Sequence, residues 1–306
     1  MDQIEYEKHI KAEREFYDKS LYLENLTEKT SSALTYFLDA FHQRTIDQIG
    51  QNAWQYTINT VNKKIKEKSK INILSLGSGP GGLEMILAES FSDGYFMECH
   101  DINEESLKLG QEKADKSKFN IKFIQTDINK IELESNKYDI IFAHASLHHM
   151  LNHEQIAKQV KKSMKEDGEF IVFDLIYKNG MMIWPETKRI ANILFKLLPE
   201  KYRFHKYDPI GSEPWTELPD VDLSTTGFEC IRSQDLLPVL KQEFKVKFEV
   251  LGFAFARRFF DVQFGPNYDL NNPFDKAIMD TVLNLDHEYS KKFNLKPENI
   301  FIVLKK

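Results

Sequence analysis

Two cysteines in 306 residues, Cys99 and Cys230, are too few for a disulfide framework. Free thiols suit a reducing compartment. An excess of positive charge is also missing. Against 41 Lys and Arg stand 47 Asp and Glu, a net charge of -6, which argues against a protein whose task is gripping a phosphate backbone. No apolar run is long enough to cross a bilayer. The opening stretch, MDQIEYEKHIKAEREFYDKS, is charged throughout and lacks the apolar centre of a secretory signal. A cytoplasmic location is therefore expected, with no membrane or nucleic-acid partner. Internal repeats and low-complexity segments are absent too. What remains is 42% hydrophobic and 29% charged, the composition of a globular protein with a core of its own.

The periodicity changes along the chain. Residues 31–49 read as an amphipathic helix with Leu34, Phe37, Leu38 and Phe41 on one face and Ser31 or Ser32 as cap. A second helix carries Trp54, Ile58, Val61 and Ile65. From residue 71 short apolar runs alternate with helical segments: strands at 71–76, 95–101, 121–127, 138–144 and 169–176. A helix capped by Asn103 follows the second strand. Another, capped by Asn152 and closed by Gly168, precedes the fifth. This rhythm predicts a right-handed, doubly wound parallel sheet over residues 70–176. Residues 177–231 break it with a helix candidate and the Pro-rich loop DPIGSEPWTELPD. It resumes with a helix containing Pro238, a strand at 245–256, a helix at about 274–292 and a final strand. Four parts are expected: a helical cover (1–69), the core (70–176), a helical and loop insertion (177–231), and a C-terminal completion of the sheet with an inserted helix (232–306).

The stretch ILSLGSGPGG places Gly77, Gly79 and Gly82 directly after the first strand. Glycines at that spacing allow a tight turn and close backbone approach to a ligand. Strand two ends in Asp101, placed to accept hydrogen bonds from ribose hydroxyls, and strand three leads to Asp127 and Ile128, suited to an adenine. Taken singly, each acid is an ordinary loop carboxylate or helix cap; their order along one sheet edge points to an adenosine ligand. A nicotinamide cofactor and one built on methionine both remain open at this point.

Strand four and its sequel, YDIIFAHASLHHM, separate them. The order of motifs resembles the class I S-adenosylmethionine-dependent methyltransferases of the small-molecule, bacterial type, well over residues 70–176 and more weakly elsewhere. The resemblance implies an α/β fold with a doubly wound, Rossmann-like seven-stranded sheet, an N-terminal helical lid and a helical insertion after strand five. It implies S-adenosyl-L-methionine as cofactor and S-adenosyl-L-homocysteine as product. Gly77, Ser78, Gly79 and Gly82 would then lie toward the methionine part, Asp101 and Ile102 at the ribose, and Asp127 and Ile128 at the adenine. His144 would stand beside the transferable methyl. One position departs from the family, which often has an acid two residues before the first glycine; here it is Ser75.

Methyl transfer from a sulfonium is an in-line displacement, and a hydroxyl acceptor also needs its proton removed. His148, His149 and His144 are the candidate bases, the first two favoured. The pairs His144/His148 and His149/His153 have helical spacing for a metal, but no carboxylate joins them at ligand spacing, so no metal is expected. The Asn/Asp-Pro-Pro-aromatic motif of base-methylating enzymes is absent from HASL (144–147). Aromatics outside the sheet, including Tyr6, Phe16, Tyr17, Tyr22, Trp184 and Trp215, suit a cover over a small or medium-sized acceptor of sugar or secondary-metabolite type. Association into a homodimer stays open. Two other readings do as well: an NAD(P)-dependent oxidoreductase, and a catalytically silent regulator or scaffold.

Overall fold

The chain is described here from a computed structural model covering residues 1–18, 31–208 and 213–306. Tyr22, the rest of the expected cover at 19–30, and residues 209–212 of the Pro-rich loop lie outside the described residues, as do the side chains of Phe16 and Tyr17.

Helices α1 (Gln3–Asp18), α2 (Ser32–Ile49) and α3 (Ala53–Lys68) lead into β1 (Ile71–Leu76). Then come α4 (Gly82–Ala88), β2 (Tyr95–Asp101), α5 (Glu104–Ser117), β3 (Ile121–Gln125), β4 (Tyr138–His144), α6 (His153–Ser163) and β5 (Met164–Leu175). The second half holds α7 (Pro185–Leu197), α8 (Ser233–Glu243), β6 (Lys245–Leu251), α9 (Ala256–Phe260), α10 (Pro273–Phe293) and β7 (Asn299–Lys305). One seven-stranded sheet runs in the order β3-β2-β1-β4-β5-β7-β6. β1 to β5 pair in parallel, while β7 is antiparallel to both β5 and β6.

Alternation along the strands feeds two cores. Ile73, Ile140 and Phe142 pack with α2 and α3 through Phe37, Phe41 and Val61. Leu74, Ile141 and Val172 turn to the other face and meet Ile156 and Val160 of α6 and Leu236 of α8. α2 and α3 therefore belong to the packed body, and within the described residues 1–69 only α1 lies over the strand ends.

Several expected boundaries move. The fifth strand begins at Met164 rather than 169, so Gly168 lies inside it and α6 stops at Ser163. A register shift between Tyr138 and Ile140 accommodates this irregular start. Asn152 makes no side-chain cap, whereas Asn103 does, accepting from the Ser106 amide at 2.7 Å. The strand expected at 245–256 ends at Leu251. Buried Asp286 on α10 then accepts hydrogen bonds from the amides of Ala254, Phe255 and Ala256, which turns the chain into α9. Among the described residues no helix is long and apolar enough to cross a membrane.

Candidate active site

The carboxyl ends of β1, β2 and β4 converge because β1 sits between the other two. There the chain after β1 turns at Gly77 (φ +71), whose missing Cβ would stand 2.4 Å from the Cβ of Ser146. Ser146 in turn donates to the Leu76 carbonyl at 2.7 Å, locking the loops after β1 and β4 together. At Gly79 (φ +53) nothing lies within 4 Å of a notional Cβ, so its backbone stands bare toward open space.

That space is a cavity of about 300 Å³. Gly77, Ser78, Gly79, Asp101, Ile102, Asp127, Ile128, His144 and His149 all line it; Gly82 and His148 do not. The Asp101 carboxylate accepts from the amides of Gly79 at 2.8 Å and Asn103 at 2.9 Å. Burial raises its pKa, and those amides oppose the rise. Asp127 accepts from the Tyr6 hydroxyl at 2.8 and 2.9 Å and from the Asn129 amide at 3.1 Å. Tyr6 belongs to α1, which also contributes Ile10 and Glu13 to the lining, while Phe228 closes the cavity from the insertion. Two carboxylates, a bare glycine backbone and apolar walls at Ile102, Ile128 and Met150 fit an adenosine joined to a charged amino acid. Ser75 has an acid after all, supplied from elsewhere in the chain. Its hydroxyl donates at 2.6 Å to Glu84 of α4, a carboxyl that burial lifts to about 7 despite that bond.

The three histidines separate by environment. His144 ends β4 beside Trp54, with ring centroids 5.1 Å apart, and burial pushes its pKa down to about 4. It is neutral near pH 7. Burial works the same way on His149, but its ion pair with Glu13 at 2.9 Å and the charge of Glu229 outweigh it and raise the pKa to about 9. His149 is therefore a cation. His148 is almost wholly enclosed, and its Nδ1 lies 2.6 Å from Asp174 of β5. Burial opposes the charge of Asp174, yet His148 and the Leu175 and Leu147 amides hold the carboxyl below its ordinary value. An Nδ1–H donated to Asp174 leaves Nε2 as the ring's available lone pair, 3.7 Å from Glu229 Oε1.

Of the pairs at helical spacing, His149/His153 has its second ring engaged elsewhere, with His153 Nε2 3.0 Å from the Leu147 carbonyl. His148, Glu229 and Cys230 do bring donor atoms within 4.8 Å of one another. Reading the sequence missed Glu13, Glu84, Asp174 and Glu229. Asp174 alone left a signal, as a single acid in the otherwise apolar EFIVFDLI.

A cavity lined by glycines and two acids lies at the strand ends of a β3-β2-β1-β4-β5-β7-β6 sheet, and comparison with known proteins points to one class. Residues 67–199 match the family model described as a methyltransferase domain. That domain and the relatives that follow support a class I S-adenosylmethionine-dependent methyltransferase. It is 26% identical over 119 residues to a sterol 4-C-methyltransferase of Caenorhabditis elegans, covering 38% of this chain and 35% of that one. It is 32% identical over 75 residues to a release factor glutamine methyltransferase of Lactococcus lactis, covering 24% and 27%. The chain thus spans between 27% and 54% of the length of the curated relatives it matches. A solved S-adenosylmethionine-dependent methyltransferase from Mesorhizobium loti is 12% identical, with 77% of this chain and 91% of that one covered and a TM-score of 0.42.

Proposed function

We propose that this protein transfers a methyl group from S-adenosylmethionine to a small organic acceptor held between the end of β4, α1 and the 228–230 segment. The observation that carries this reading is the joint lining of one cavity by Gly77, Ser78, Gly79, Asp101, Ile102, Asp127, Ile128 and His144. The cofactor supplies an electrophilic methyl on a sulfonium. The backbone of Ser78 and Gly79 faces its amino-acid part, Asp101 holds the ribose hydroxyls, and Asp127 with Ile128 takes the adenine. Gly82 contributes through the start of α4 rather than by contact, and Glu84 restores the negative charge that Ser75 lacks. In this reading residues 1–18 and 177–231 form the cover, residues 70–176 the cofactor core, and residues 232–306 complete the sheet.

Displacement at a methyl needs alignment and exclusion of water more than acid–base help. Neutral His144 lets the methyl pass without a competing charge. For a hydroxyl acceptor we assign the proton to His148, whose ring Asp174 fixes. His149, already protonated in its ion pair with Glu13, positions that cover and does not serve as base.

Calorimetry with S-adenosylhomocysteine tests the cofactor site. Asp101→Ala is expected to weaken binding by about 2–4 kcal/mol, the loss of a buried carboxylate that accepts two hydroxyl bonds. Unchanged affinity, or tighter binding of NAD than of S-adenosylhomocysteine by the wild type, overturns the reading.

A further inference from the structure

Arg257 and Arg258 are neighbours on the short helix α9, and the protein treats them oppositely. Arg258 is saturated. Its Nε and Nη2 meet Glu298 at 2.8 and 2.6 Å, and its Nη1 and Nη2 donate to the carbonyls of Met181 and Met182 at 3.1 Å each. Arg257 has no hydrogen bond and no carboxylate within ion-pair distance among the described residues, and its Nε is closed to solvent with no acceptor. Its guanidinium carbon stands 6.0 Å from the centre of the Tyr177 ring. Tyr177 is itself wholly buried at 0% exposure, and its hydroxyl has no partner among the described residues either. A guanidinium N–H closed to solvent without an acceptor is costly, and a buried phenol hydroxyl left unpaired beside it adds to the cost. Two such groups together mark a place kept for a ligand.

The place can be located. Arg257 does not line the cavity around Asp101 and Asp127. It lies near enough to His144, Glu229 and Cys230 for its charge to bear on each. The other acids that feel it are Asp261, bound to the Gln263 amide at 2.9 Å, and Glu298, taken by Arg258. Glu229, 3.7 Å from His148 and 3.9 Å from His149, keeps 34% of its side-chain surface open.

We infer that the methyl acceptor carries an oxyanion group, a carboxylate or phosphate, which docks on Arg257 and Tyr177 on the side of His144 away from the adenosine. The inference rests on the methyltransferase reading and narrows its acceptor to acidic molecules. A planar guanidinium takes two oxygens of such a group at once, and the Tyr177 hydroxyl donates to a third lone pair. Glu229 then sits against the neutral part of the acceptor and disfavours a second negative charge there.

The test uses the full chain saturated with S-adenosylhomocysteine. Calorimetric titrations compare matched probes: benzoate against benzamide, and phenyl phosphate against phenol. Wild type is expected to bind at least one anionic probe tenfold or more tighter than its neutral partner, and which of the two does so distinguishes carboxylate from phosphate. Arg257→Gln is expected to erase that preference while S-adenosylhomocysteine affinity stays within threefold, and Tyr177→Phe to reduce it severalfold. Should Arg257→Gln fail to fold, Arg257→Lys is used, and a drop in the preference supports the assignment. Equal binding of anionic and neutral probes by the wild type, or a preference that survives in Arg257→Gln and Tyr177→Phe, overturns it. Failure of S-adenosylhomocysteine itself to bind is a separate result and counts against the methyltransferase reading.

Discussion

In the proposed reading, the cofactor and acceptor ends of the site are built on different principles. At the cofactor end, around β1 to β3, polar groups are answered from within the protein: Asp101 by two amides, Asn103 by the Ser106 amide, Ser75 by Glu84. At the other end, around β4, β5 and α9, titratable groups meet in close pairs or stay unanswered: His149 with Glu13 and Glu229, His148 with Asp174, and Arg257 without a hydrogen bond among the described residues. The first is a finished mould whose shape precedes its ligand. The second holds electrostatic cost that a ligand can relieve, and it depends on segments distant in sequence.

The largest expected effect breaks the acceptor end and spares the mould. With a hydroxyl acceptor, His148→Gln is expected to lower kcat roughly a hundredfold or more, with cofactor affinity unchanged. His149→Gln, which removes a cation and no base, should cost far less. Profiles of kcat against pH for the three proteins decide it; similar losses in both variants would remove the distinction drawn between the two rings.

Glu84 sharpens the comparison from the other side, as the one costly group in the mould. Its folded pKa of about 7 exceeds the ordinary 4.5, so burial costs nothing below pH 4.5 and its penalty grows as the pH rises through 7. Glu84→Gln should equal wild type in stability at pH 4 and exceed it by about 1–3 kcal/mol at pH 8, measured by urea unfolding. Lower stability at pH 8 would mean that the charged carboxylate is compensated by contacts other than Ser75.

A smaller effect concerns α1. The folded pKa of His149, about 9, lies above its ordinary 6.5, so the pairing with Glu13 stabilises fully below pH 6.5 and fades as the pH rises through 9. Amide exchange in α1, corrected for intrinsic rate, should quicken severalfold between pH 7 and pH 9.5. In Glu13→Gln that pH dependence should largely vanish. A flat profile in the wild type would detach α1 from His149.

The same division governs what could be read without coordinates. β1, β2 and β4 match their expected limits because buried parallel strands are continuous apolar runs, stopped here by Gly77, Asp101 and the turn after His144. Strand ends in such a sheet meet at one edge, so Asp101, Asp127 and His144 could be placed together from order alone. The start of β5 was illegible because KEDG is polar and follows a helix without a break. GFAFARRFF is apolar throughout, and its turn into α9 depends on Asp286, about 30 positions on from the amides it caps. Glu13 and Glu229 reach the histidines through tertiary paths that leave no spacing in the sequence. Their meeting is a property of the fold.

The place of β7 has a consequence for how the molecule comes into being. β6 precedes β7 in the chain yet touches the sheet only through it. During synthesis, β6 and the α9 turn that carries Arg257 are made before the strand that will anchor them, and the five parallel strands already present a free edge at β5. The cofactor half can condense early, from local βαβ units. The half around α9 must wait for an antiparallel strand to slide between two others, so on a ribosome the proposed adenosine site is complete before the proposed acceptor site.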